Sequence, residues 1–113
     1  MIVTLGAPLR PDSELLAGLI AEVTVNDRWT NSGALAQRFE AEIARLVSSP
    51  HAVLTSSGTS ALTVALLALD LREGGEVITT PLTFAATAQA IEAAGLVPRF
   101  AAVDPVSLTL DPR

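Results

Sequence analysis

The chain contains no cysteine, no lysine and no tyrosine, and its aromatic residues are three phenylalanines and one tryptophan. Without cysteine, disulfide bonds and thiolate metal sites are excluded, and we predict no metal site. Without lysine, the glycine-rich phosphate loop that ends in Lys-Ser or Lys-Thr is excluded. The single histidine, His51, is interpreted as a polar residue at the edge of a strand.

Positive charge is scarce as well, because seven scattered arginines face twelve acidic residues, and the net charge is −5. Nucleic acids and anionic membranes attract clustered positive charge, so we expect neither as a partner. The longest apolar run, residues 61–69, is far too short to span a bilayer. Residues 1–8 have no basic start and no long apolar core, so we expect no secretory signal and a cytoplasmic protein.

Half of the residues are hydrophobic, which is enough for a globular domain. After a short extended lead over residues 1–9, the apolar periodicity predicts helices over residues 13–23, 35–48, 59–69 and 84–94, and strands over residues 51–55, 76–80 and 96–103. The strand–helix alternation after residue 50 is typical of an α/β fold with a parallel sheet. Such a sheet normally needs more elements to cover both faces, so we interpret the chain as part of a larger protein.

Local chemistry adds detail to these elements. Asp12 or Ser13 is predicted to cap the first helix, and Gly95 to end the last one. Arg38 and Glu42 are spaced to pair along the second helix. Glu76 is interpreted as a solvated charge. Arg99 is interpreted as a charge at the edge of a strand, with a substrate contact as the weaker alternative.

The segment Ser56-Ser57-Gly58-Thr59-Ser60 lies between a predicted strand and a predicted helix. The first N–H groups of a helix have no partner in the helix and carry the positive end of its dipole, so they favour anions. Phosphate is the usual occupant of such a site. The alternative is a capped helix after a tight turn, which needs no ligand, and the local chemistry leaves both interpretations open.

A second motif, TPLTFAAT at residues 80–87, follows the next predicted strand. Ligands of open α/β sheets bind beyond the carboxyl ends of the strands. Phe84 is predicted to open a helix there, where its ring could stack on a planar ligand. By itself, however, a single phenylalanine is more often part of the core, and local reasoning favours that interpretation.

Seven motifs occur in a fixed order: WTNSG (29–33), FEAE (39–42), SSGTSAL (56–62), GEVITTP (75–81), TFAAT (83–87), GLVPRF (95–100) and VD (103–104). From residue 8 to residue 112, this series resembles the N-terminal part of the DegT/DnrJ/EryC1/StrS aminotransferases. The resemblance implies an α/β fold, the first portion of the large domain of a fold-type I pyridoxal-phosphate (PLP) enzyme. It implies a lead, helix and active-site-mouth loop over residues 1–34, and the start of the PLP-binding domain over residues 35–113.

The resemblance also implies roles for individual residues. Thr59 and Ser60 match residues that bind the cofactor phosphate, and Gly58 allows close approach. Phe84 matches the aromatic residue that stacks on the pyridine ring. Two residues match a loop at the mouth of the active site, where they would contact the substrate: Thr30 and Gly33. The partners implied are a nucleotide-linked keto sugar and an amino donor, in a homodimer.

The family's Schiff-base lysine and the aspartate that binds the pyridine nitrogen match no position of this chain. We therefore expect no catalytic residue in the chain and no transamination by the chain alone. The motif before Asp104 also departs from the family, because Ala102 stands where an aspartate is common. Two alternatives stay open: a sugar dehydratase of the same family, in which histidine replaces the lysine, and a non-catalytic α/β module that binds a phosphorylated ligand.

Overall fold

The computed structural model describes residues 10–112 of the 113-residue chain. The lead predicted over residues 1–9 lies outside these described residues. The chain divides into two compact units, residues 1–53 (unit one) and residues 54–113 (unit two). The domain division predicted after residue 34 stays a prediction. Within the described residues, no helix is long and apolar enough to cross a membrane.

The described part of unit one contains two helices, α1 (Ser13–Asn26) and α2 (Ala34–Leu46). The Asp12 carboxylate caps α1 by accepting hydrogen bonds from the backbone N–H groups of Glu14 and Leu15, both at 2.9 Å. The helix continues three residues beyond the predicted end and stops at Asp27, whose φ of 46° is left-handed. The predicted cap at Asp12 is therefore confirmed, because a carboxylate satisfies two N–H groups that the helix leaves unpaired.

The predicted pair between Arg38 and Glu42 is wrong. Arg38 instead forms an ion pair with Glu22 of α1, with 3.3 Å between Nη1 and Oε2, and so links the two helices. Glu42 pairs with Arg45 one turn later, at 2.9 Å. An exposed pair within one helix is worth only about 0.2–0.5 kcal/mol. A small tertiary preference therefore decides which partner each side chain takes.

The buried strand predicted over residues 51–55 is also wrong. The described structure has no strand there, and His51, Val53, Leu54 and Thr55 are exposed. A β-strand forms only when a neighbour accepts and donates its backbone hydrogen bonds. The described sheet contains two strands, neither of which is this segment, so its apolar, β-branched sequence is not sufficient to place it in that sheet.

Unit two alternates helices and strands: α3 (Gly58–Ala68), β1 (Glu76–Thr79), α4 (Ala86–Ala93) and β2 (Val97–Phe100). The two strands pair in parallel, with Glu76 opposite Val97 and Thr79 opposite Phe100. The α/β class with a parallel sheet is confirmed, but the described sheet has two strands instead of three. The last predicted strand ends early because the chain turns back after Phe100, and Val103 forms an isolated antiparallel bridge with Leu110.

Helix α4 supplies most of the core of the described structure. The buried apolar side chains are those of Ala86, Ala90 and Ile91 on one helical face, together with Leu96. Thr79 of β1 is buried as well, at 7% exposed. The two alanines let the α4 backbone approach its neighbours closely, which a larger side chain would prevent. Helix α4 contacts α3 and both strands, so its small face holds unit two together.

Gly95 ends α4 and leads directly into β2. Its φ is +76°, a left-handed conformation that favours glycine. Its carbonyl accepts a hydrogen bond from the N–H of Gly74 at 2.9 Å, and Gly74 belongs to the turn before β1. The predicted end of the helix at Gly95 is therefore confirmed. The same residue joins the two turns from which the parallel strands start.

We expect Ile91→Ala to lower the free energy of unfolding by about 2–4 kcal/mol, because Ile91 is 3% exposed and its loss leaves a cavity. The matched control is Ile78→Ala, since Ile78 is 69% exposed on β1 and its loss is expected to cost less than about 1 kcal/mol. Urea unfolding followed by circular dichroism measures both. Equal losses in the two variants would contradict the assignment of the buried face.

Candidate functional site

The N-terminus of α3 is built from hydroxyl-bearing residues. Ser57 is the N-cap, with extended backbone, and its Oγ accepts a hydrogen bond from the N–H of Ser60 at 3.1 Å. The Ser60 hydroxyl lies 3.0 Å from the Ser57 hydroxyl and 3.2 Å from the Ser56 hydroxyl. Small side chains with their own hydrogen-bonding groups allow three hydroxyls to gather within one turn. Ser60 is therefore at the centre of a hydroxyl cluster.

Backbone donors lie beside this cluster. The first intrahelical hydrogen bond of α3 runs from the N–H of Ala61 to the carbonyl of Ser57, at 3.0 Å. The N–H groups of Gly58 and Thr59 precede it, at the positive end of the helix dipole. Residues of this type and geometry can bind a dianionic phosphate by donating hydrogen bonds from both backbone and hydroxyl groups.

Gly58 has open space where a side chain would begin. A Cβ built at this position meets no heavy atom within 4 Å. Packing among the described residues therefore gives no reason for glycine at position 58. Room beside free N–H groups suits a ligand that approaches the backbone closely, so the geometry fits a phosphate group.

Phe84 lies just before α4, which begins at Ala86 and not at Phe84 as predicted. Ala85 is the N-cap of the helix, so Phe84 lies one residue before the cap. Phe84 is still bonded to the helix, because its carbonyl accepts a hydrogen bond from the N–H of Thr87 at 3.0 Å. The Phe84 ring is 81% exposed. The interpretation of Phe84 as a core residue is therefore wrong. An exposed ring is free to stack on a planar ligand.

Four of the predicted site residues lie in unit two: Gly58, Thr59, Ser60 and Phe84. The two helices that follow these residues, α3 and α4, pack against each other. Together with β1 they line an apolar cavity of about 220 Å³, whose walls include Leu62, Thr87 and Ile91. The predicted cofactor residues do not line this cavity, and their role in binding stays a prediction.

The two predicted substrate residues, Thr30 and Gly33, lie in unit one, in the loop between α1 and α2. Thr30 is exposed. Gly33 has a structural reason to be glycine, because a Cβ there would lie 2.8 Å from the Arg28 carbonyl oxygen. The Arg28 guanidinium donates to the Asn31 carbonyl at 3.2 Å and so closes the loop. Their contact with a substrate stays a prediction.

Sequence reasoning missed a second pair of hydroxyls beside Phe84. The hydroxyls of Thr83 and Thr87 lie 2.9 Å apart. The signal available in the sequence was the spacing of four residues, which brings side chains together at the start of a helix. The Ser56 hydroxyl was missed as a member of the first cluster, because its contact with Ser60 depends on the backbone of the turn.

Glu76 and Arg99, for which the sequence predicted no partner, form an ion pair. Arg99 Nε donates to Glu76 Oε1 at 2.7 Å across the sheet, and both side chains stay exposed, so the prediction that Glu76 is solvated is confirmed. This hydrogen bond lowers the pKa of the Glu76 carboxyl below its ordinary value and raises the pKa of Arg99. The two residues meet because the parallel register places their side chains on one face of the sheet.

Asp104 organises the turn that follows β2. Its Oδ1 accepts hydrogen bonds from the N–H groups of Ser107 at 2.8 Å and Val106 at 2.9 Å, and from the Ser107 hydroxyl at 3.1 Å. The bond from the Ser107 N–H, and then that from Val106, lower the pKa of Asp104 below its ordinary value. This aspartate therefore holds a turn, and the described residues contain no acidic, histidine or cysteine cluster suited to a metal ion.

Comparison with known proteins gives consistent results along most of the chain. The sequence profile described as the DegT/DnrJ/EryC1/StrS aminotransferase family matches residues 12–113. The spore coat polysaccharide biosynthesis protein SpsC of Bacillus subtilis is 44% identical over 89 residues, which are 79% of this chain and 23% of that protein. The chain thus spans about a quarter of the length of the curated relatives that it matches.

Solved structures agree with the sequence relatives. DesI, solved with its TDP-sugar product, is 37% identical with a TM-score of 0.80, covering 93% of this chain and 26% of DesI. NtdA from Bacillus subtilis, solved with the cofactor PMP, is 33% identical with a TM-score of 0.80, and the match covers 88% of this chain and 22% of NtdA. A GDP-4-keto-6-deoxymannose-3-dehydratase, solved with PLP and glutamate trapped together, is 25% identical with a TM-score of 0.76, covering 94% and 29%.

We expect Gly33→Ala to lower the free energy of unfolding by about 1–3 kcal/mol, because the new methyl group collides with the Arg28 carbonyl. Gly18→Ala is the matched control. Gly18 lies inside α1, where a Cβ meets no atom within 4 Å, so alanine there is expected to stabilise by about 0.5–1 kcal/mol. Chemical denaturation compares the two. Changes of the same sign would contradict the close approach at Gly33.

Acid should weaken the fold in part through Asp104. A carboxyl whose pKa is lowered by folding stabilises the folded state above its unfolded pKa, near 3.8, and this stabilisation is lost as the pH falls through the folded pKa. We therefore expect Asp104→Asn to reduce the dependence of stability on pH below about pH 4. Urea midpoints measured from pH 7 to pH 3 test this. An unchanged acid dependence would show that Asp104 does not contribute.

Proposed function

The chain belongs to the DegT/DnrJ/EryC1/StrS aminotransferase family, and we propose that it supplies part of a PLP site in an enzyme that transfers an amino group to a nucleotide-linked keto sugar. The observation that carries this proposal is the hydroxyl-rich N-terminus of α3, which has open space at Gly58. The relatives support the sugar class, since one is a spore coat polysaccharide biosynthesis protein and another was solved with its TDP-sugar product.

The phosphate end of the cofactor is assigned to α3. The N–H groups of Gly58 and Thr59, with the hydroxyls of Thr59 and Ser60, would donate hydrogen bonds to phosphate oxygens. Ser60 also accepts or donates within its own hydroxyl cluster, which fixes the orientation of its side chain. The absence of positive side chains in this turn leaves neutral donors and the helix dipole to offset the phosphate charge.

The ring end of the cofactor is assigned to Phe84. The side chain is 81% exposed, so stacking on a pyridine ring would bury apolar area that water now contacts. When bound, PLP supplies an electron sink for chemistry at the carbon that carries the amino group. The chain contributes binding and orientation to this chemistry, because it contains no lysine to bond the cofactor carbonyl. Alone, it would bind the cofactor without transamination.

The remaining assignments follow from the family. Thr30 and Gly33 would lie at the mouth of the substrate site, contacting the sugar nucleotide. The intact enzyme would use an amino donor to load the cofactor, and would act as a cytoplasmic homodimer. These roles concern a whole protein of the family. The matched relatives are about four times as long as this chain.

A dehydratase is the second candidate, because a sugar dehydratase matches the fold with a TM-score of 0.76. The phosphate and ring positions serve both reactions equally. The residue at the Schiff-base position separates them, since lysine there indicates the aminotransferase and histidine the dehydratase. A non-catalytic module that binds a phosphorylated ligand is a third candidate.

We expect Gly58→Ala to weaken PLP binding by roughly 5- to 100-fold, because the methyl group occupies space that the phosphate needs, at a cost of about 1–3 kcal/mol. Stability should not fall, since the same methyl group meets no atom of the chain. Isothermal titration with PLP, and with pyridoxal as a ligand that lacks the phosphate, measures the effect.

Gly18→Ala serves as the control variant, because it makes the same change in a helix of unit one at a position with similar open space. Its affinity for PLP should equal that of the unchanged chain. Two results would contradict the proposal: no binding of PLP by the unchanged chain, or equal binding by the Gly58→Ala variant. Equal affinity for PLP and pyridoxal would place the ligand away from a phosphate site.

A further inference from the structure

The segment between β1 and α4, residues 80–85, is fixed at both ends by buried residues. Thr79 at the end of β1 and Ala86 at the start of α4 are each 7% exposed. Within the segment, the Thr80 hydroxyl accepts a hydrogen bond from the N–H of Leu82 at 3.0 Å. The segment is therefore a short connection with rigid supports, and it carries the exposed Phe84 ring.

Phe84 owes its position to its backbone, because a ring that is 81% exposed gains little from packing. Thr87 holds that backbone twice. Its N–H donates to the Phe84 carbonyl at 3.0 Å, and its hydroxyl lies 2.9 Å from the Thr83 hydroxyl. One hydrogen bond therefore reaches Phe84 itself, and the other reaches Thr83, the residue before it. Rotation of the segment about Phe84 would break at least one of them.

The hydroxyl of Thr87 is used differently from the other helical threonines with a described side-chain bond. Thr24 and Thr63 both donate to the carbonyl four residues earlier, at 2.8 Å and 3.2 Å. That arrangement is common for threonine inside a helix and serves only the helix itself. Thr87 instead bonds a side chain outside α4, so its hydroxyl connects the helix to the segment that precedes it.

We propose that Thr87 is a positioning residue, whose paired hydrogen bonds to Thr83 and Phe84 hold the Phe84 ring in place for stacking on a planar ligand. Thr87 is half-buried on α4 and lies next to the buried Ala86, so the hydroxyl is supported by the core. The identity of the ligand as PLP rests on the proposed function, whereas the constraint on Phe84 does not.

Three variants test the proposal. Thr87→Val has almost the same shape but lacks the hydroxyl, and Thr87→Ser restores the hydroxyl. Thr24→Val is the matched control, because it removes a hydroxyl that bonds only its own helix. We expect Thr87→Val to bind PLP roughly fivefold more weakly, as for the loss of one hydrogen bond, and to bind inorganic phosphate as the unchanged chain does.

Thr87→Ser and Thr24→Val should bind both ligands like the unchanged chain. The circular dichroism of bound PLP adds a readout that general destabilisation would not move, since it depends on the orientation of the cofactor ring. We expect this signal to change in Thr87→Val and to return in Thr87→Ser. Equal PLP affinity and equal dichroism in all variants would overturn the positioning role.

A measurement without ligand separates this inference from the proposed function. In the unchanged chain, hydrogen exchange at the Thr87 N–H should be slow, and we expect at least a threefold increase in Thr87→Val as the segment loosens, with recovery in Thr87→Ser. The same exchange rate in both would overturn the inference. If the unchanged chain fails to bind PLP, the proposed function fails, and the exchange rates still decide the role of Thr87.

Discussion

The close packing of one face of α4 is the constraint on which the rest of unit two depends. Ala86 and Ala90 bring the helix backbone near its neighbours, and the Ile91 side chain is buried on the same helix. The same helix contacts α3 and both strands, so it sets where the loops at their ends lie. Because Ala86 directly follows the segment that carries Phe84, the core and the exposed ring are joined within two residues.

The hydroxyl cluster at the N-terminus of α3 has a structural role that is independent of the binding role proposed for it. The hydroxyls around Ser60 satisfy each other and cap α3, so the turn is formed before a ligand arrives. Preorganised donors lose little conformational freedom on binding, which favours affinity. Gly58 and Gly33 differ in the space that a side chain would have at each position. The fold needs glycine at position 33, where a carbonyl lies close, whereas the described residues leave open space beside Gly58.

Much of this was available from the sequence, for reasons that are local. The Asp12 cap, the end of α4 at Gly95 and the alternation of helices and strands follow from side-chain chemistry and periodicity within a few residues. The order of the motifs identified the family, and that assignment is confirmed by the profile match over residues 12–113. The site residues assigned from it stay predictions, although the cluster at Ser60 and the exposure of Phe84 fit them.

The sequence by itself determined the helices, their caps and the turn chemistry, since these depend on neighbours along the chain. The tertiary structure decided everything that needs a partner from elsewhere. Arg38 pairs with Glu22 of another helix, and Arg99 with Glu76 of another strand, because packing brings those charges together. Among the described residues, 51–55 form no strand, although their composition is that of one, because strand pairing depends on residues distant along the chain, which local sequence does not specify.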